Sequence, residues 1–145
     1  MIRKYLLILI LPAALLSCDV RKKDKIADDS SKLREQAMKD TTTVVIIDSA
    51  YDFGKVIDGE KVEYSYRFKN TGDKPLVIIS ATASCGCTVP QKPEKPIPPG
   101  ETGFIKVVFD SKGRVGTAHK TITVHSNASP AFPELLLKGE VVAKE

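Results

Sequence analysis

Strict alternation of apolar and polar side chains is the sequence feature that most limits how this chain folds. The alternation is clearest from Lys61 to Lys69, where Val62, Tyr64, Tyr66 and Phe68 are separated by charged or hydroxyl-bearing residues. Successive side chains of a β-strand point to opposite faces, so this segment predicts a strand with one buried face. Similar segments recur to the end of the chain, and none of them has a helical period.

Turn-forming residues separate these segments. Gly72 lies in such a turn and is predicted to have a positive φ angle. The proline-rich segment from Pro90 to Gly100 predicts a stiff loop, because proline cannot donate a hydrogen bond to a strand pair. The predicted strands are Thr43–Asp48 with Tyr51–Gly54 as its continuation or short partner, Lys61–Lys69, Leu76–Ala83, Thr102–Phe109, Thr117–His125 and Pro133–Val142.

About seven short strands with turns between them predict an all-β fold, an antiparallel β-sandwich of immunoglobulin-like type. The chain has no Trp and no pair of distant cysteines that would bridge two sheets. Apolar burial therefore has to hold the sandwich together. The predicted core comprises Val62, Tyr64, Tyr66, Phe68, Val77, Ile79, Ile105, Val107, Phe109, Ile122, Val124, Leu135 and Leu137.

The N-terminus has the pattern of an export signal. Arg3 and Lys4 precede an apolar run from Tyr5 to Leu16, which is shorter than the about 20 apolar residues that span a bilayer. The following Leu15-Leu16-Ser17-Cys18 resembles a bacterial lipobox. That resemblance implies a diacylglycerol thioether on Cys18, cleavage before it, and acylation with a fatty acid such as palmitate. The alternative is an ordinary signal peptide with a chance cysteine.

Three regions are predicted. Residues 1–17 form the lipoprotein signal peptide, residues 18–40 form the lipidated N-terminus and a flexible charged linker, and residues 41–145 form the sandwich domain. The linker is rich in charge and too poor in apolar residues to bury a face. We therefore expect a protein of the bacterial cell envelope, anchored to the membrane by lipid and facing the periplasm or the cell surface.

Charge and motifs argue against several classes of function. Without Arg3 and Lys4 the chain has 20 basic and 18 acidic residues, a net charge of +2. A nucleic-acid-binding domain usually has a clustered basic face with stacking aromatics, so no nucleic-acid partner is expected. No Ser/His/Asp constellation, phosphate-binding loop or paired carboxylate motif is present. We therefore predict no enzyme activity, no cofactor and no small-molecule substrate.

Cys85 and Cys87 are the cysteines left for thiol chemistry. On an extended strand their Cα atoms would be about 6.6 Å apart, near the upper limit for a disulfide, so a bridge would require the chain to pucker at Gly86. Three interpretations remain open: a structural disulfide or pair of half-buried thiols, a redox pair that exchanges with partners, and a soft-metal site such as copper(I). His119 and His125 share a face of one predicted strand, but nothing in the sequence brings that face near the cysteines.

Four segments together resemble one bacterial family. They are Asp52 to Val56, Phe68 to Leu76, Ser84 to Pro90, and Pro98 to Glu101. Across roughly residues 44 to 142 the chain is similar to the family named domain of unknown function 1573. Parts of it also resemble sperm-protein-like and cilia-associated immunoglobulin-like modules, which are mostly scaffolding or protein-binding domains. The resemblance implies a fold and a location but no established activity.

Two hypotheses follow from these observations. The first is a lipid-anchored β-sandwich module outside the cytoplasm that binds or helps to assemble another envelope protein. The alternative is a periplasmic thiol-redox or copper(I)-handling protein that acts through Cys85 and Cys87.

Overall fold

The computed structural model describes residues 32, 35, 36 and 38–145. The predicted signal peptide and the lipid attachment site at Cys18 lie outside these residues. Within them, no helix has the length and apolar character needed to cross a membrane. The strands are β1 (Val44–Ile46), β2 (Ala50–Ile57), β3 (Lys61–Asn70), β4 (Ile78–Ala83), β5 (Thr88–Gln91), β6 (Thr102–Asp110), β7 (Gly116–Ser126) and β8 (Leu135–Val142).

The strands form two four-stranded sheets packed face to face. The first sheet has the order β1-β3-β6-β5, and the second has the order β2-β8-β7-β4. All neighbouring strands are antiparallel except β2 and β8, which are parallel. This is the strand order of a constant-type immunoglobulin sandwich with β2 added beside the last strand, and it confirms the predicted fold class.

The two N-terminal segments belong to different sheets. β1 pairs with β3 in the first sheet, whereas β2 pairs with β8 in the second. The link between them stays attached to β3, because the backbone N–H groups of Ile47 and Asp48 donate to the Arg67 carbonyl at 2.9 and 3.2 Å. The segment at Tyr51–Gly54 is therefore not a continuation of the first strand but part of a separate, longer one.

The eighth strand, β5, was not predicted, because the loop was expected to start at Pro90. The Cys87 carbonyl accepts a 2.9 Å hydrogen bond from the Asp110 N–H, and Pro90 lies opposite Val107 in the ladder. Antiparallel pairing alternates along the strand, so the Pro90 nitrogen faces away from β6. Since β5 is at the edge of its sheet, the missing N–H of proline costs no ladder bond.

The core between the sheets matches the predicted list with two exceptions. Ile79 is 43% exposed, and Tyr64 is only partly buried. The ladder of β4 shifts register between Ile78 and Ser80, which turns Ile78 inward and Ile79 outward, because a bulge interrupts the alternation of faces. The buried apolar residues that are absent from the predicted core list are Leu76, Ile78, Ala118 and Val141.

Gly72 is required for space and not for a positive φ angle, so that prediction was wrong. The glycines with positive φ include Gly59 and Gly100, but not Gly72. A Cβ atom on Gly72 would overlap the Thr42 side chain and lie 2.7 Å from the backbone nitrogen of Thr43. The turn after β3 therefore needs glycine because the N-terminal segment crosses directly over it.

Candidate functional site

Exposed apolar side chains gather on the solvent side of the first sheet, which we call the first-sheet face. Val45 is 53% exposed, Val89 is 55% exposed and Phe104 is 51% exposed. Val108 lies opposite Val89 in the ladder and is partly buried. Single exposed apolar residues are common on protein surfaces, but a group on one sheet face is a usual mark of a contact surface.

The first-sheet face is also basic. Two of its cations are paired, since Arg67 contacts Asp48 and Lys106 contacts Glu63, each at 2.6 Å. Lys61 and Lys69 also lie on this face, and neither has an ion pair in the described part of the chain. The face therefore has more positive than negative charge available to a partner.

The solvent side of the second sheet has a different character. Its two ion pairs are Lys55 with Glu140 at 3.2 Å and Lys138 with Asp52 at 3.7 Å. The outward residues of β7 are three threonines and two histidines. This face is balanced in charge. Its large exposed apolar side chains, Ile57 at 46% and Ile79 at 43%, belong to the two edge strands of the sheet, whereas the first sheet also exposes Phe104 on a central strand.

The pair of Asp48 and Arg67 is the strongest ionic contact on the first-sheet face. Arg67 donates to Asp48 from Nε at 2.6 Å and from Nη2 at 3.1 Å. This side-chain hydrogen bond lowers the pKa of Asp48 below its ordinary value and raises the pKa of Arg67. The bidentate geometry fixes the link between β1 and β2 against β3.

Cys85 and Cys87 form a disulfide, with their Cα atoms 5.4 Å apart. The chain turns at Gly86, as expected from the sequence for a disulfide between these cysteines. The Thr88 N–H donates to the Cys85 carbonyl at 3.2 Å and closes this turn. The turn lies where the chain passes from β4 in the second sheet to β5 in the first, and Cys87 packs against the core. This placement supports the structural interpretation of the pair.

The geometry adds nothing in favour of a metal site or a redox site. His119 and His125 are both exposed on the outer side of β7, so they share one face of the strand as predicted. Across the residues that the structure describes, no group of three or more His, Cys, Asp or Glu side chains could hold a metal ion.

A pocket of about 380 Å³ opens on the first-sheet face beside the disulfide. Val89, Val108 and Cys87 contribute apolar surface to it. The turn between β6 and β7 contributes two cations, Lys112 and Arg114. The remaining lining residues are Lys61, Gly86 and Asp110.

Sequence reasoning missed a set of buried polar residues that hold the loops. Asn70 and Asn127 are the only asparagines of the chain, and both are buried. Asn127 accepts from the Val77 N–H at 2.8 Å and donates to the Pro75 carbonyl at 3.0 Å. Both asparagines occur in turn-like sequences, where an asparagine side chain is usually exposed. Only their burial in the structure identifies them as residues that hold the fold together.

Tyr66 is a second buried polar group, at the centre of the sandwich. Its hydroxyl donates to the Leu136 carbonyl at 2.7 Å, a bond that connects the two sheets. Burial raises the pKa of Tyr66 well above its ordinary value, with further contributions from Tyr64 and Tyr51. The phenol therefore stays neutral and acts as a hydrogen-bond donor.

Comparison with known proteins identifies the family. The sequence matches the family described as "Protein of unknown function (DUF1573)" over residues 44–141. No curated protein matches the chain.

Solved structures with a similar fold come from distant proteins. A protein of unknown function from Porphyromonas gingivalis W83 has a TM-score of 0.59 and 19% identity, covering 69% of this chain and 47% of that one. This chain thus spans about half the length of that protein. The ASH / PapD-like domain 7 of human CEP192 has a TM-score of 0.51 and 14% identity, covering 72% of this chain and 88% of that one. At these identities the likeness shows the fold alone. Since the family match covers more than half of the sequence, the chain belongs to the DUF1573 family.

Proposed function

We propose that this protein is a lipid-anchored module outside the cytoplasm that binds another protein of the bacterial cell envelope through its first-sheet face. The observation that carries the proposal is the difference between the two outer faces of the sandwich. One face has an exposed aromatic side chain on a central strand together with unpaired cations, whereas the other exposes isoleucines on its edge strands and is balanced in charge.

Protein-binding surfaces commonly have an apolar centre with a polar rim. Phe104, at 51% exposure, has the most suitable side chain for such a centre, because aromatic residues often dominate the binding energy of interfaces. Arg67 lies opposite it in the β3–β6 ladder. An acidic partner surface with an apolar patch would complement this pair.

The membrane anchor is supported by the sequence alone. The lipobox-like segment ending at Cys18 supports attachment of acyl chains, and the charged residues after it support a tether of about twenty residues between lipid and domain. On this tether the domain could reach a partner in the same membrane or in the adjacent compartment.

Site-specific photo-crosslinking would test the proposal. A photoreactive phenylalanine analogue is placed at position 104, and in a matched strain at position 123, which lies on the outer side of β7. We expect a discrete adduct of defined mass from position 104 in cells of the source bacterium, and none from position 123. Equal crosslinking from both positions, or none from position 104, would exclude binding through the first-sheet face.

A further inference from the structure

We propose that the pocket beside the Cys85–Cys87 disulfide binds an acidic side chain, flanked by apolar residues, in a peptide segment of the partner protein. This inference rests on the proposed protein-binding function and assigns the chemistry of its anchor. The pocket lies at one end of the first-sheet face, so a partner seated on that face would cover it.

The charge of the pocket favours an anion. Lys61, Lys112 and Arg114 line it together with one carboxylate, Asp110. None of these three cations has an ion pair in the described part of the chain. The pocket therefore has an excess of positive charge, and a carboxylate entering it would gain attraction from several directions.

The apolar surface of the pocket favours a peptide over a small inorganic anion. Val89 is 55% exposed and lies opposite Val108 in the ladder. Cys87 of the disulfide also lines the pocket. A volume of about 380 Å³ is at the lower end of ligand pockets in proteins, which suits one side chain and its neighbours. Inorganic phosphate would leave the valine surface uncovered.

The backbone of the turn that carries Lys112 and Arg114 is held in place before any ligand binds. The Gly113 N–H donates to Asp58 at 2.6 Å, and the Lys112 N–H donates to Asp110 at 3.0 Å. The buried Ser111 hydroxyl donates to the Ile57 carbonyl at 3.2 Å. The bonds to Asp58 and Ile57 tie the β6–β7 turn to the β2–β3 turn, and the bond to Asp110 closes the turn itself, so little ordering of the backbone is needed on binding.

The adjacent strand edge favours recognition through side chains instead of strand addition. The Thr88 N–H is already bound to the Cys85 carbonyl, and Pro90 has no N–H. These are the backbone nitrogens of β5 that face away from β6, so the open edge has no free donor for an added strand. A partner at this corner therefore has the pocket as its specific contact.

The test measures binding of a fluorescein-labelled peptide to the full chain in detergent micelles by fluorescence anisotropy. The probe is a Gly-Ser peptide with a central Val-Asp-Val and blocked ends. We expect saturable binding that weakens as salt increases. Replacing Asp with Asn, or both Val residues with Ser, should each weaken binding about tenfold. Inorganic phosphate should compete poorly.

The protein variants separate the pocket from general charge attraction. The double variant Lys112→Gln, Arg114→Gln should weaken binding about tenfold, since two contacts from exposed cations are lost. The matched control is Lys55→Gln, Lys138→Gln on the second sheet, which removes the same charge and should leave binding unchanged. Equal losses in both double variants, equal binding of the Asn and Asp peptides, or competition by phosphate as strong as by the peptide would overturn the proposal.

The crosslinking experiment distinguishes failure of this inference from failure of the proposed function. If position 104 captures a partner in the unmodified protein while the peptide does not bind the unmodified protein, the pocket proposal alone is wrong. If position 104 captures nothing in the unmodified protein, the proposed function itself fails.

Discussion

The Thr42 hydroxyl donates to the side-chain oxygen of Asn70 at 3.0 Å, and both residues are buried. This contact fastens the first residues of the domain to the end of β3. The Asn70 amide nitrogen donates onward to the carbonyls of Lys74 and Ile97 at 2.8 and 2.9 Å. One asparagine thus holds the N-terminal segment, the turn after β3 and the proline-rich loop in a single network.

Replacing Asn70 with Ala should lower the free energy of unfolding by about 3–5 kcal/mol, because several buried donors and acceptors lose their partner. Chemical denaturation followed by circular dichroism would measure the change. The neighbouring Thr71→Ala variant is the control and should change stability by less than about 0.5 kcal/mol, since its side chain is exposed. Similar stabilities for the two variants would contradict the structural role of Asn70.

Gly72→Ala should be strongly destabilising, by about 2–4 kcal/mol, because the new methyl group would collide with Thr42 and with the backbone of Thr43. The matched control is Gly86→Ala, where a Cβ atom would meet nothing within 4 Å and φ is not positive. Thermal unfolding of both variants measures the difference. A Gly72→Ala protein as stable as the control would mean that the N-terminal segment does not cross this turn.

The hydrogen bond between Asp48 and Arg67 should make stability depend on pH at the acidic end. Arg67 lowers the pKa of Asp48 in the folded protein, so the contribution is complete above the ordinary carboxyl pKa and is lost as the pH falls through the folded value. We expect Asp48→Asn to be less stable than the unmodified protein at neutral pH. The difference should shrink below about pH 4.

Urea unfolding at several pH values would measure this convergence. Arg67→Gln should give the same loss of stability at neutral pH. The double variant should lose no more stability than either single variant, within the experimental error of a double-mutant cycle. Additive losses in the double variant would show that the two side chains act independently.

Removal of the disulfide should lower stability modestly without preventing folding. Cys85 and Cys87 are separated by a single residue, so the closed loop is very short and the loss in Cys85→Ser, Cys87→Ser is expected to be about 1.5 kcal/mol. Denaturation with and without reductant measures it. Reductant should reproduce the loss in the unmodified protein and have no effect on the variant. A protein that cannot fold without the bridge would contradict this prediction.

The proposed lipid anchor predicts that Cys18→Ala releases the protein from the membrane fraction, because the acyl chains proposed to form the stable anchor would have no attachment site. Metabolic labelling with an alkynyl palmitate analogue, followed by fractionation, would check both lipid attachment and location. Labelling should persist in Cys85→Ser, Cys87→Ser and be absent from Cys18→Ala. Label that survives in Cys18→Ala would exclude the lipobox interpretation.

Alternation of side chains predicted most of the fold. β3 and β6 pair in register from Lys61 with Asp110 to Lys69 with Thr102, and their large inward side chains were expected from the period of two. Prediction failed where the backbone departs from that period. The bulge at Ile79 reversed the expected faces, and Pro90 was assigned to a loop because the sequence does not show which strands lie at an edge.

The candidate site was less accessible to prediction. Cys85 and Cys87 were identified from the sequence, and the need for a turn at Gly86 followed from strand geometry. The pocket beside them was not foreseen, since Lys61, Val89 and Arg114 are far apart in the sequence and meet only through the β3–β6–β5 ladder and the β6–β7 turn.

Local chemistry by itself determined that this chain forms short strands, that they pack as a sandwich, and that two cysteines occupy the link between two strands. These properties depend on neighbouring residues, which a sequence displays directly. Tertiary structure alone decided that Asn70 and Asn127 are buried, that Gly72 provides space, and that cations and valines from three strands and one turn form one pocket. Those properties depend on contacts between segments that are distant in the sequence. Strand order and register determine these contacts, and both are set only when the whole core packs.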